Sequence, residues 1–229
     1  MVFEGFSKEA LLFLDEIAAN NTKEWFEANR DRYEKLILNP SRAFVEEMGE
    51  HLMALVPTIN AIPKINGSLF RIYRDIRFRK DKTPIKTRIG IIFWQGGGKR
   101  MQSSSFYLHF GTQTLFMAAG IRGFSDETLK KYRNYIQNEK NRETLHEVMQ
   151  NLSQKGYRLP EPKYKRLPGE FDKDISYAEL TKYANMFVYK EIPHPKAFFN
   201  ENFCDFAYEI YEEMLPMQEW VYEMTLYDG

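Results

Sequence analysis

The residues with the most chemistry in them lie between Arg71 and Arg88. Arg71, Arg74, Arg77, Arg79, Lys80, Lys82, Lys86 and Arg88 are accompanied there by only two acids, Asp75 and Asp81. The stretch carries a net charge of +6 in a chain whose total is zero. The remainder therefore stands at −6, and beyond Lys196 eight acids, from Glu201 to Asp228, occur with no Lys or Arg. Crowded cations repel one another unless anions, local acids or solvent offset the repulsion. Guanidinium groups suit bidentate contacts with carboxylates and phosphates, whereas ammonium groups suit point-charge contacts. The segment thus reads as an anion site. Arg71, Arg74, Arg77, Lys80, Lys82 and Lys86 would hold a phosphate- or carboxylate-bearing small molecule. Asp75 and Asp81 would orient that ligand or, as catalytic groups, move a proton. Two other readings use the same residues. One is a structural or protein-interaction module whose basic strand pairs with acidic helices. The other is a nucleic-acid surface, which the neutral total charge disfavours.

Other chemistry-bearing residues point less far. Gly96-Gly97-Gly98-Lys99-Arg100 lacks the spacing of a phosphate loop, and no helix clearly follows it, so a hairpin loop is the expectation. The four histidines, His51, His109, His146 and His194, fit no metal-ligand spacing, and no metal is expected. The single cysteine, Cys204, cannot close an internal disulfide and sits in an apolar helical pattern as a small core or boundary residue rather than a nucleophile. No dinucleotide, nucleophile-elbow or zinc-protease fingerprint is present, so the sequence specifies neither a reaction nor a cofactor.

The elements that must position these residues are legible in part. Ser7 and Thr22 look like helix caps. Asn39-Pro40 looks like a cap followed by proline at the first helical position. Three helices are expected before residue 56, with Phe26, Tyr33 and Ile37 on one face and Phe44, Met48, Leu52 and Leu55 on another. From Leu69 to Phe78 the period becomes two, placing Phe70, Ile72, Ile76 and Phe78 on one face of a strand. Arg74 breaks the alternation, so either the strand ends or bulges there or Arg74 is partly buried against an acid. Thr83-Pro84 marks a turn presenting Lys80, Asp81 and Lys82. Ile89–Trp94, Phe106–Phe110 and Leu115–Met117 are strand-like, with Gly111-Thr112 as a turn. Helices are expected from Ser125 and Asn141, then a strand at Phe187–Glu191. A last helix should carry Phe203, Phe206, Ala207, Ile210 and Met214, kinked or restarted at Pro216. The resulting expectation is a single α+β domain over residues 1–229. Its mostly antiparallel sheet, about residues 69–119 plus later short strands, packs with N-terminal and C-terminal helices.

The run Arg74-Asp75-Ile76-Arg77-Phe78-Arg79-Lys80-Asp81-Lys82-Thr83-Pro84-Ile85-Lys86-Thr87 resembles the signature of an uncharacterised family called domain of unknown function 2461, roughly R-D-x-R-F-x-K-D-K-[ST]-P-Y-K. Phe13-Leu14, Asn20-Asn21, Trp25-Phe26 and Tyr33 resemble its N-terminal block. Tyr107, the Gly120 region and Leu129 to Arg133 resemble its middle. Leu167 to Phe171 and Pro216 to Trp220 resemble its later blocks. Ile85 stands where the pattern has Tyr, so no role of that phenol carries over. The resemblance implies a bacterial or fungal α+β protein of about this length, and no activity.

Bulk properties bound the rest. Hydrophobic residues make up 43% and aromatic residues 15% of the chain, enough for a sizeable core. No apolar stretch approaches the roughly 20 residues a spanning helix needs, so no membrane partner is expected. One free thiol and no visible signal peptide make the cytoplasm the expected compartment.

Overall fold

The computed structural model describes residues 2–78, 80–172 and 174–227; Arg79 and Asp228, counted among the charges above, lie outside them. The fold is α+β, with helices at both ends of a five-stranded antiparallel sheet. Helices α1 (Lys8–Ala19), α2 (Lys23–Ala28), α3 (Arg30–Tyr33) and α4 (Asn39–Leu55) come first. Strands β1 (Ile59–Asn60), β2 (Ile89–Gln95), β3 (Ser105–Phe110) and β4 (Thr114–Ile121) follow, then α5 (Asp126–Tyr135), α6 (Glu139–Gln154), β5 (Met186–Pro193) and α7 (Phe203–Leu226). The strands lie side by side in chain order, β1 to β5. No helix among the described residues is long and apolar enough to cross a membrane.

Local chemistry explains most boundaries. The Ser7 hydroxyl accepts from Ala10 N at 3.1 Å and the Thr22 hydroxyl from Trp25 N at 3.2 Å, so both expected caps satisfy first-turn amides. The expected break at Asn39 does not occur. The chain passes from α3 through a π-helical turn, Glu34–Leu38, straight into α4. Pro40 has no amide hydrogen, and its ring crowds the carbonyl four residues back, so the widened turn just before it accommodates what an α-turn would not. Asn138 rather than Asn141 opens α6, its side chain accepting from Lys140 N at 2.9 Å. Gly156 takes φ +83° after the helix ends, a conformation glycine reaches without a Cβ clash. Helix α7 continues through Pro216. Pro216 is on an exposed face, where water can serve the carbonyl that proline leaves unpaired.

The chain divides into two compact units, with boundaries inside β2 to β5 and α7. The first takes in the chain up to Phe93, Tyr107–Met117 and Glu191–Glu209. Its core is an aromatic cluster: Phe6 lies 4.5 Å from Phe110 and 5.0 Å from Phe198, and Phe44 lies 5.2 Å from Phe3 and from Phe203, between ring centroids. The second comprises Trp94–Phe106, Ala118–Lys190 and the chain from Ile210 onward. There the buried Tyr132 hydroxyl donates to the Leu180 carbonyl at 2.7 Å. The buried Arg142 donates to the Ile136 and Gln137 carbonyls at 2.6 and 2.8 Å, closing the end of α5. Gly120, at φ +120°, lets β4 approach β5 so closely that a Cβ would fall 2.2 Å from the Met186 carbonyl oxygen.

The basic segment lies wholly in the first unit, and it is not the regular strand its alternation suggests. Between Leu69 and Ile85 there are isolated bridges, Leu69 with Ile91 and Tyr73 with Ile85. Arg74 N donates to Pro84 O at 2.7 Å and Lys86 N to Ile72 O at 2.9 Å, which makes residues 72–74 and 84–86 the two arms of an irregular hairpin. Leu69 and Ile72 are buried, but Phe78 is 95% exposed. The reason lies in the aspartates. The Asp75 carboxylate accepts from the Arg77 amide at 3.3 Å and the Asp81 carboxylate from the Thr83 amide at 3.0 Å. Such local side-chain bonds compete with a strand ladder and bend the chain.

Candidate functional site

The N-terminal helices hold the hairpin. Asn21, between α1 and α2, donates from Nδ2 to the Ile85 carbonyl at 3.0 Å and accepts from the Ile85 amide at 2.9 Å. One side chain thus serves both backbone groups of a residue 64 positions away. Ile85 is itself buried, as an apolar residue at that position can be. On α2, Phe26 is buried and its ring lies 5.6 Å, edge to face, from Tyr73. The Tyr73 hydroxyl donates to Glu27 Oε1, and Arg30 donates to Glu27 Oε2 at 3.1 Å. Both bonds hold the Glu27 carboxyl below its usual pKa range, that from Tyr73 contributing most. Burial first, and the bond to Glu27 second, push the Tyr73 phenol up.

Between α2 and the hairpin arms lies an open pocket of about 410 Å³, lined by Lys23, Glu27, Tyr73, Arg74, Ile76 and Pro84. Arg74 is its best-anchored cation. Its Nη1 donates to Asp81 Oδ2 at 2.6 Å and also to the Thr83 hydroxyl. The Thr83 hydroxyl in turn donates to Asp81 Oδ1 at 2.8 Å. The Arg74 side chain is only 21% exposed, against 57% for Asp81. The expectation that Arg74 is partly buried against an acid is therefore met, and the acid is Asp81. The Thr83 amide and hydroxyl, then Arg74, lower the Asp81 pKa from 3.8 to about 2.

The other expected site residues are placed differently. Asp75 and Arg77 pair with each other at 2.7 Å, and neither lines the pocket. The Arg77 side chain bonds and then the Arg77 amide hold the Asp75 carboxyl well below the usual range. Lys82 Nζ donates to the Ile76 carbonyl at 3.0 Å, and Lys86 Nζ to the Arg71 carbonyl at 2.6 Å. Lys86 also lies 5.9 Å over the Phe70 ring. Arg71 and Lys80 are exposed, with no ion pair among the described residues. Of the expected site residues, only Arg74 lines the pocket; Asp81 pairs with it from outside the lining, and Asp75 and Arg77 form a separate pair.

Sequence reasoning missed Lys23, Glu27 and the clamping role of Asn21. Lys23 and Glu27 stand four apart, a spacing that places them on one helix face. Nothing in the spacing says that this face meets Tyr73, because the contact spans 46 residues.

Fold and pocket together define an α+β protein with a mixed-charge pocket between its second helix and an irregular basic hairpin. Residues 9–220 match the model of a family described as conserved hypothetical protein, DUF2461, and the chain belongs to that family. No curated protein matches the chain.

Proposed function

We propose that the pocket beside Arg74 binds the carboxylate or phosphate of a small molecule. The observation that carries this reading is the division of labour within Arg74. Its Nη1 is fixed by Asp81 and Thr83, while its Nε and Nη2 have no partner among the described residues. Nε and Nη2 form the guanidinium edge that takes a carboxylate or phosphate in two parallel hydrogen bonds. Lys23, exposed and without an ion pair among the described residues, adds a second positive charge to the pocket. Arg71, Arg77, Lys80, Lys82 and Lys86 contribute the surrounding field.

In this reading Asp81 is an orienting group. A carboxylate held near pKa 2 is too weak a base to take a proton efficiently at neutral pH, and the same argument applies to Asp75. The pocket therefore supports binding more directly than acid–base catalysis. A nucleic-acid backbone is a poorer occupant, because Glu27 lines the same pocket and would repel a polyanion. The interaction-module reading receives less support as well, since Arg74 and Arg77 pair with the segment's own aspartates.

Calorimetric titration with phosphate, acetate and small phosphomonoesters tests the proposal. Arg74→Lys, which keeps the charge but loses the fork, is expected to weaken binding on the order of tenfold. Absence of binding by every anion, or wild-type affinity in Arg74→Lys or in Arg74→Gln, overturns it.

A further inference from the structure

The pocket carries a charge that a simple anion does not use. Glu27 faces the same space as Arg74 and Lys23, so two cations and one carboxylate share a volume of about 410 Å³. That volume falls within the range of small-molecule sites. Each Glu27 oxygen already accepts one hydrogen bond, Oε1 from Tyr73 and Oε2 from Arg30, whose exposed ion pair offsets only part of the carboxylate's charge. A carboxylate has about four acceptor positions, so roughly half its capacity is unused. Its lowered pKa keeps it charged at neutral pH. Ile76 and Pro84 supply apolar wall between the polar groups.

A ligand with only negative charge gains from Arg74 and Lys23 and loses to Glu27. A ligand that also carries a protonated amine turns the Glu27 contribution from repulsion to attraction. We infer that the pocket is built for a small zwitterion, whose carboxylate or phosphate pairs with Arg74 and whose ammonium group pairs with Glu27. The inference rests on the anion-binding reading of the same pocket and adds the second recognition element. It also selects against inorganic phosphate and polyanions, since neither has a group for Glu27.

The test compares matched probes that differ only in the amine. Propionate is set against 3-aminopropionate, butyrate against 4-aminobutyrate, and ethyl phosphate against O-phosphoethanolamine, by calorimetry or ligand-observed NMR. In at least one pair, the amine-bearing member should bind on the order of tenfold more tightly. Which pair shows it tells whether the anionic group is a carboxylate or a phosphate. Glu27→Gln, isosteric and uncharged, should abolish the preference and, with the repulsion gone, raise affinity for the amine-free anion. Tyr73→Phe, which leaves the Glu27 charge in place and frees Oε1, should retain it. Equal affinities within every pair, or a preference that survives in Glu27→Gln, overturns the zwitterion inference and leaves the anion site standing. Loss of the preference in Tyr73→Phe also overturns it, by assigning the effect to the phenol. If no member of any pair binds, the anion-binding reading itself falls, and the inference with it.

Discussion

Replacing Asn21 with Ala should loosen the basic hairpin more than any single change to its charges. The Asn21 amide makes two hydrogen bonds to the backbone of Ile85, at 2.9 and 3.0 Å, and bridges 64 residues of chain in doing so. Net contributions of about 1 kcal/mol per hydrogen bond put the loss near 2 kcal/mol. Ile85 is buried, so its freed amide and carbonyl are not simply returned to water, which keeps the loss from falling toward zero. For a chain of this size, about 2 kcal/mol corresponds to a fall in Tm of roughly 4–8 °C. Asn21→Asp provides the control: it keeps an acceptor for the Ile85 amide but presents a carboxylate oxygen to the Ile85 carbonyl. Its destabilisation should equal or exceed that of the Ala variant. Hydrogen exchange at the Ile85 amide reads the same quantity locally, and about 2 kcal/mol there is a roughly 30-fold rise in exchange rate. Anion affinity should fall in parallel, because Pro84 and Thr83 precede the clamped residue directly. A Tm within 1 °C of wild type together with unchanged Ile85 protection would show that the clamp contributes nothing to holding the hairpin.

Three further outcomes are expected. Phe78→Ser should change stability by less than about 0.5 kcal/mol in urea denaturation, because the ring is 95% exposed; a loss above about 1.5 kcal/mol would mean that the ring is packed after all. Asp81 should titrate with a midpoint near pH 2 by carboxyl NMR. Its pKa is depressed in the fold, so its contribution is complete above about pH 4 and is lost as pH falls from 3.8 through about 2. Thr83→Ala, which removes the hydroxyl but keeps the amide bond, should move that midpoint part of the way toward 3.8, and an unmoved midpoint would show that the hydroxyl contributes nothing to the shift. Gly120→Ala should cost at least about 2 kcal/mol, because φ is +120° and the new Cβ would fall 2.2 Å from the Met186 oxygen; a Tm equal to wild type would contradict that close approach.

The sequence was most informative where a local rule decides the structure. Ser7, Thr22 and Ser125 each cap the helix that follows, because a hydroxyl one position before a helix can reach its first free amides. Period-two alternation located β3 and β4, whose interiors are packed. The same signal failed over Leu69–Phe78. Alternation there is a property of the residue order alone: Asp75 and Asp81 bond their own neighbouring amides, the chain turns, and Phe78 is left outside. The pocket was legible only in halves. The Arg74 anomaly pointed to one wall, but Lys23 and Glu27 belong to a helix 46 or more residues away, and no local rule joins them to Tyr73. The family resemblance had placed Asn20-Asn21 and the basic run in separate blocks; Asn21 and Ile85 show that these blocks are two sides of one contact.

The charge excess that marks the segment is also smaller in effect than its count suggests. Asp81 and Asp75 each neutralise one arginine. Lys82 and Lys86 spend donors on the Ile76 and Arg71 carbonyls, so part of their role is to tie the hairpin's own backbone. Exposed ion pairs of this kind contribute little to stability, which makes them poor reasons for a dense basic run to exist. What they do instead is fix geometry: Asp81 and Thr83 hold one end of Arg74 and leave the opposite edge without a partner among the described residues. A lysine at position 74 would preserve every charge in the segment and lose that edge. The binding reading therefore turns on the shape of one guanidinium rather than on the sum of eight cations, and it is the comparison of Arg74→Lys with Arg74→Gln that separates the two.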